Sequence, residues 1–207
     1  IYKYRIVANP GCYPTSIQLA LLPLLKKSMI HNNITIDSKS GYSGAGKTFK
    51  SKFVHENFYE SIFAYGVKTH RHMSELDQEF KKYSKKIVKY TFNPHLLPTF
   101  RGILTSIYIE VKKKNNVQHI YAELKKFHSK NKFIHLNKIN TPMGNGNVLH
   151  TNNCEISVCQ TRYKNKIVIF SAIDNLVKGA AGQAVQNMNL LFNLKENLGL
   201  KWNYFIY

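Results

Sequence analysis

An α+β fold is what the order of the hydrophobic patterns predicts. Period-two runs crowd the middle of the chain, at 87–93, 103–111, 155–160 and 166–172, while period-3.6 runs lie toward its two ends. The 207 residues suffice for one sizeable domain or two small ones. With 43% hydrophobic and 13% aromatic residues the chain has a globular composition, not a disordered one. No apolar run reaches the roughly 18 residues of a membrane span. The opening IYKYRIVANPG lacks the charged-then-apolar layout of a signal peptide. The cysteines, Cys12, Cys154 and Cys159, are odd in number and without framework spacing, which predicts free thiols in a reducing cytoplasm and no membrane partner.

Taken in order, residues 1–8 read as a short strand that runs into Asn9-Pro10-Gly11-Cys12, where Pro-Gly marks a turn. From Pro14 to about Met29, Ile17, Leu21, Leu24 and Leu25 share one helical face. Pro14 suits a first helical turn, and Pro23 is expected to kink or split the helix. Residues 34–37 read as a strand, followed by a glycine-rich loop, and 47–69 give a weak signal. Ser74 is expected to cap a short helix whose first turn holds Glu75 and Asp77. Asn93-Pro94-His95-Leu96-Leu97-Pro98 reads as a loop between strands, 117–128 as a helix, and 140–153 as a Gly/Asn-rich loop. The pair 155–160 and 166–172 reads as a hairpin. Over 176–193 the pattern is a long helix with Val177, Ala181, Ala184, Val185, Met188 and Leu191 on its apolar side.

The formal net charge is +19, from 30 basic and 11 acidic residues. Such a charge suits a polyanion partner. Its makeup argues against one: 26 of the basic residues are lysines, scattered singly and in short clusters, and no basic-aromatic nucleic-acid motif occurs. A lysine-loaded solvated surface is the expected reading, with no specific nucleic-acid partner. Arginine, present only as Arg5, Arg71, Arg101 and Arg162, then marks positions where a planar bidentate fork is wanted.

Gly41-Tyr42-Ser43-Gly44-Ala45-Gly46-Lys47-Thr48 matches the P-loop pattern G-x-x-x-x-G-K-[ST]. A P-loop enzyme also needs a long helix opening at the Lys-Thr and an acidic strand end for its metal. Phe49–Val54 has little helical periodicity, and Asp174 after IVIFSAI is the best acidic candidate. The pattern is therefore read as an amide-rich loop that approaches an anion, not as a nucleotidase.

Cys12 follows Gly11 at the start of a helix, where exposed amides and the helix dipole are expected to depress a thiol pKa. That is where a nucleophilic cysteine belongs; a small buried residue at a turn is the alternative. In His70-Arg71-His72 the imidazoles are two apart and, if extended, share a face with Arg71 opposite. A general acid/base suits them better than a metal pair, because no third ligand is apparent. His31, His55, His95, His119, His128, His135 and His150 have no evident partner, and most are expected at the surface.

Together these segments resemble the N-acetyl-gamma-glutamyl-phosphate reductase family of arginine biosynthesis. Val7-Ala8-Asn9-Pro10-Gly11-Cys12-Tyr13-Pro14-Thr15 is similar to its nucleophile motif, and Ser40–Lys47 to its S-G-x-S-G-A-G loop. Ala64–Val67 with His70-Arg71-His72 resembles its histidine segment, Pro94–Pro98 with Arg101–Leu104 a further stretch, and Ser171–Asn189 its closing helix. The motifs run in family order from residue 7 to about 200. Met73-Ser74-Glu75 departs from the family, which commonly has Pro before that Glu.

The resemblance implies NADPH-dependent reduction of N-acetyl-L-glutamyl 5-phosphate to the 5-semialdehyde, through a thioester on Cys12. It implies His72, or else His70, as acid/base; Arg71 and Arg101 are candidates for the substrate's carboxylate or phosphate. Ser43, Gly44, Gly46 and Asn187 are candidates for the NADP(H) side, and no metal is expected. The sister activity on aspartate semialdehyde, or an inactive fragment, is the alternative. The family implies a homo-oligomer and a Rossmann half before the cysteine motif, which this chain does not carry. Residues 1–30 and 171–207 are then expected to belong with that cofactor domain, and 31–170 to form the catalytic and oligomerisation domain.

Overall fold

The structure, a computed structural model, describes residues 3–48 and 57–200. Part of the weak 47–69 stretch, with His55, lies outside the described residues. The α+β expectation holds. A seven-stranded mixed sheet has the order β2-β3-β1-β4-β7-β6-β5. Its strands are β1 Asn33–Gly41, β2 Phe63–Ala64, β3 Lys89–Leu97, β4 Ile103–Glu110, β5 Ile134–Leu136, β6 Cys154–Gln160 and β7 Lys166–Ile173. The pairs β1/β3 and β5/β6 are parallel; β1/β4, β2/β3, β4/β7 and β6/β7 are antiparallel. The helices are α1 Cys12–Lys26, α2 Met73–Tyr83, α3 Val117–His128 and α4 Gly182–Leu191.

α1 is the central helix of one sheet face. Its Ile17, Leu21 and Leu24 are fully buried in one core with Ile36, Ile107 and Ile169 of the sheet, Leu76 and Phe80 of α2, and Ile120 and Leu124 of α3. A chain of buried hydroxyls crosses this core toward the start of α1. Ser38 Oγ meets Thr105 Oγ1 at 2.9 Å, Thr105 meets Ser16 Oγ at 2.8 Å, and Ser16 donates to the Tyr13 carbonyl at 2.9 Å. The opposite sheet face is partly open: Thr35, Thr91 and Tyr108 lie in one exposed row.

Several expectations are corrected. Residues 3–8 form no strand, because no neighbouring strand offers them a ladder of hydrogen bonds. Pro23 does not split α1. The carbonyl it deprives of a donor is that of Leu19, and His128 Nε2 donates to it at 2.8 Å. Ser74 does not cap α2; its Oγ lies inside the first turn and donates back to Arg71 O at 2.9 Å. Residues 93–97 are not loop but the end of β3, held between Asp37–Gly41 of β1 and the short β2. Among the described histidines without an evident partner, most are exposed as expected (His31, His119, His135 and His150), whereas His95 is half-buried and His128 buried.

The largest correction concerns 176–193. The helix is broken at Ala180 (φ −152°, ψ −105°), so that a wide turn, Val177–Ala181, precedes α4. The Asp174 carboxylate caps that turn by accepting from the Leu176 and Val177 amides at 2.8 and 3.3 Å. The face of α4 is inverted too. Gln186 and Asn189 are buried, whereas Ala181, Ala184 and Met188 are exposed. Asn189 is drawn inward by donating to the Glu196 and Leu198 carbonyls at 3.1 and 2.9 Å.

Candidate active site

Cys12 is the first residue of α1 and is half-buried. The turn before it is held from two sides by the start of α2. A Cβ on Gly11 would lie 2.5 Å from His72 Nε2, so the imidazole rests directly on the Gly11 backbone and any side chain there would have to displace it. Three residues on, and so on the same helical face, both Glu75 carboxylate oxygens accept from the Gly11 amide, at 3.1 and 3.3 Å. From the far side a Cβ on Gly179 would lie 2.7 Å from Cys12 Cβ. Thus α1, the start of α2 and the Val177–Ala181 turn converge on one cysteine.

His70 and His72 lie in a turn entering α2, not in an extended segment. The His70 amide donates to the Gly66 carbonyl at 2.8 Å, and Met73 N to His70 O at 2.9 Å. Their rings nonetheless share a side, with centroids 4.8 Å apart, and both meet the edge of the Tyr13 ring, at 5.5 and 6.0 Å. Arg71 is exposed. His70 Nδ1 accepts from the His72 amide at 3.2 Å, while His72 Nδ1 is buried without a hydrogen-bond partner. Tyr13 Oη, donating to His95 O at 3.1 Å and paired with Tyr65 Oη at 3.2 Å, anchors this aromatic wedge to β3.

The electrostatics overturn one expectation. Burial pushes the Cys12 thiol up to about 11. The amides of Tyr13 and Cys12 and the Arg71 charge pull it down by less, and the Glu75 charge adds to the rise. Burial first, then the nearby His70 and Arg71, push His72 down to about 4; burial and Arg71 lower His70 as well. At neutral pH the site therefore holds a thiol beside neutral imidazoles that are free to accept a proton.

The remaining candidates are distributed around this centre. Arg101 does not present a free fork: its Nη1 donates to the fully buried Asp174 at 3.1 Å, its guanidinium lies over Phe100, and its Nε is buried and unpartnered. Ser43 lies in Tyr42–Thr48, a run of tight helical turns interrupted at Gly46. Asn175 ties this loop down, donating to Ser43 Oγ at 3.0 Å and accepting from the Gly102 amide at 2.6 Å. A Cβ on Gly44 would sit 2.8 Å from Ser40 Oγ, and Gly46, at φ +65°, has no neighbour within 4 Å of such a Cβ among the described residues. Asn187 donates to Asn9 Oδ1 at 3.0 Å, beside the nucleophile turn, and accepts from Gln183 at 3.0 Å.

Sequence reasoning missed Glu75, Tyr13, Asn175 and Gly179 as parts of the site. Glu75 had a legible signal, its i, i+3 spacing from His72. The others act through packing across long sequence separations, which no local pattern announces.

The geometry defines a cysteine–histidine site at a helix N-terminus, carried on a mixed sheet. Residues 12–175 match the family model for the semialdehyde dehydrogenase dimerisation domain, and the chain belongs to that family. Over 200 residues it is 43% identical to the N-acetyl-gamma-glutamyl-phosphate reductase of Thermoanaerobacter pseudethanolicus, covering 97% of this chain and 58% of that protein. It is 42% identical over 201 residues to the probable chloroplastic N-acetyl-gamma-glutamyl-phosphate reductase of Arabidopsis thaliana, covering 97% and 50%. The chain thus spans between half and three-fifths of the length of these curated relatives. Among solved structures, aspartate semialdehyde dehydrogenase II from Vibrio cholerae is similar with a TM-score of 0.67 at 18% identity, covering 91% of this chain and 62% of that one. At that identity the likeness speaks for the fold alone.

Proposed function

We propose that this chain is the catalytic part of an NADPH-dependent reductase that converts N-acetyl-L-glutamyl 5-phosphate to N-acetyl-L-glutamate 5-semialdehyde and phosphate, in arginine biosynthesis. The observation that carries it is the His72 ring resting on Gly11, one residue from Cys12, in a chain whose curated relatives bear that enzyme's name. Cys12 attacks the acyl phosphate; a carbon–sulfur bond forms, the carbon–oxygen bond to phosphate breaks, and a thioester results. His72, neutral before reaction, takes the thiol proton as the attack proceeds. After reduction the adduct's oxygen re-forms the carbonyl as the carbon–sulfur bond breaks, the aldehyde departs, and His72 returns its proton to the Cys12 sulfur, restoring the thiol. His70 is the alternate acid/base. Arg71, exposed, is the freer candidate for the substrate's anionic groups; Arg101 serves only if it leaves Asp174.

Ser43, Gly44, Gly46 and Asn187 are our candidates for the cofactor side. A 190 Å³ groove lined by Val7, Asn9, Ala184, Asn187, Met188 and Leu191 suits a planar carboxamide ring with one apolar face. NADPH, when bound, supplies the hydride that reduces the acyl carbon. We assign 31–170 to catalysis and oligomerisation, and 1–30 with 171–207 to the side that faces a cofactor domain. The exposed apolar residues Ile6, Met188 and Phe192 support that assignment. A homo-oligomer formed through the open sheet face around Tyr108 fits the family's name. A cytoplasmic location is part of the same reading; among the described residues no helix is long and apolar enough to cross a membrane.

The test is the reverse reaction of the complete protein with NADP+, phosphate and either N-acetylglutamate semialdehyde or aspartate semialdehyde. Turnover of the first alone, abolished by Cys12→Ser and reduced roughly 10²–10⁴-fold by His72→Asn, is expected. Preference for aspartate semialdehyde, or full turnover in Cys12→Ser, overturns the proposal.

A further inference from the structure

Lys178 is a charged side chain that the chemistry above does not use, yet it is only 3% exposed. It lies in the Val177–Ala181 turn, immediately before the glycine whose backbone abuts Cys12. Its Nζ donates to Gln186 Oε1 at 2.8 Å and stands 5.5 Å from the centre of the Phe133 ring. The same Gln186 oxygen accepts from Asn152 Nδ2 at 2.9 Å, and Gln186 Nε2 donates to Glu196 Oε1 at 2.7 Å. The ammonium thus reaches a carboxylate through one intervening amide. The turn is also tied by the Asp174 carboxylate that accepts from the Leu176 and Val177 amides, by Gly179 N donating to Asp174 O at 2.9 Å, and by Asn9 Nδ2 donating to Ala180 O at 3.2 Å. Leu176 and Val177 stay partly exposed, so Lys178 is the long side chain that roots the turn in the interior.

We propose that Lys178 is a positioning residue for Cys12: its buried, charge-assisted bond to Gln186 presses the Gly179 backbone against the nucleophile and limits access to the thiol. An uncharged chain of equal length would fill the space but make no such bond, and a buried ammonium is retained only where something returns its desolvation cost. Two ionisable groups lie near it: Glu196 of the segment after α4 favours its charge, and Cys154 of β6 would do so only as a thiolate; burial outweighs them and brings Lys178 down to about 8. Cys154, pushed up to about 11, is neutral there. Raising the pH through 8 therefore removes the charge and loosens the turn.

The measurement is iodoacetamide alkylation of the full chain between pH 7 and 10, with modification at Cys12 read by peptide mass spectrometry. Buried Cys154 serves as the control for unfolding. A thiol titrating near 11 reacts about tenfold faster per pH unit in this range, because the thiolate is the nucleophile. Wild type is expected to rise more steeply than that around pH 8. Lys178→Met is expected to react roughly tenfold faster at pH 7, equivalent to about 1.4 kcal/mol, and then follow the simple slope. Gln186→Glu sets a carboxylate on the amine and is expected to move the steep step to higher pH by about one unit or more.

A wild-type profile without the step overturns the proposal, as does a folded Lys178→Met whose profile superimposes on wild type. If Lys178→Met does not fold, wild type and Gln186→Glu decide between them: a step that Gln186→Glu leaves in place is equally fatal. The proposal rests on reading Cys12 as the nucleophile, but its readout needs no turnover. A linked alkylation profile in a protein without reductase activity upholds the role of Lys178 and removes only the proposed function.

Discussion

His128 Nε2 donates, at 2.8 Å, to the Leu19 carbonyl, the one group in α1 that Pro23 strips of its helical partner. Asn131 Nδ2 in turn meets His128 Nδ1 at 2.9 Å, so the buried ring is neutral, with its proton on Nε2. A helix break written into the sequence is repaired by a residue more than a hundred positions away. His128→Ala is expected to destabilise the chain by about 1–3 kcal/mol, since it leaves a buried carbonyl unsatisfied. Pro23→Ala, which restores the helical amide, should recover part of the loss in the double variant. Additive losses in urea melts of the four proteins would show that the two residues are not coupled.

Gly11→Ala and Gly179→Ala each drive a methyl into an occupied volume, at 2.5 Å from His72 Nε2 and 2.7 Å from Cys12 Cβ respectively. A cost of about 1–3 kcal/mol is expected for each, by overpacking. Gly46→Ala meets no steric neighbour among the described residues, and the cost seen there arises from φ +65°. Thermal melts should therefore rank Gly46→Ala as the mildest of the three.

Glu75 separates structure from charge. Glu75→Ala removes the acceptor of the Gly11 amide and is expected to cost about 1–3 kcal/mol. Glu75→Gln retains an acceptor and should cost less. Because the Glu75 charge raises the Cys12 pKa, Glu75→Gln is also expected to speed Cys12 alkylation at a fixed pH. An unchanged rate would indicate that the carboxylate only braces the turn.

Acid should destabilise the fold in a defined window. His70, His72 and His128 all have lowered pKa values in the folded state, His72 down to about 4. The unfolded chain binds protons at these groups from about pH 6.5 downward while the folded chain resists them, so stability falls as the pH drops from about 6.5 toward 4. Melting temperatures across pH 7.5 to 4.5 should show this decline, and His72→Asn should flatten it.

Asn175 holds the glycine loop through Ser43 Oγ and the Gly102 amide. Asn175→Ala is expected to cost about 1–3 kcal/mol by leaving that buried amide unpaired. In the complete protein it should raise the KM for the cofactor more than it lowers kcat. An effect on kcat alone would detach this loop from the cofactor side.

Local chemistry made much of this protein readable in one dimension. The period of β4 and the helix at 117–128 were legible because residues one to four apart decide them, and so was the arrival of Cys12 at a helix N-terminus after Pro-Gly. The family motifs were legible because each is a short run of fixed residues. What the tertiary structure alone decided depends on partners far along the chain: the continuity of α1 through Pro23, the extension of β3 across Pro94, and the inward turn of Gln186 and Asn189. The Cys12 pKa belongs with these. The helix amides that lower it come from adjacent residues and were foreseen, but burial comes from the start of α2 and the Gly179 turn packing against Gly11 and Cys12, and desolvation outweighs the dipole.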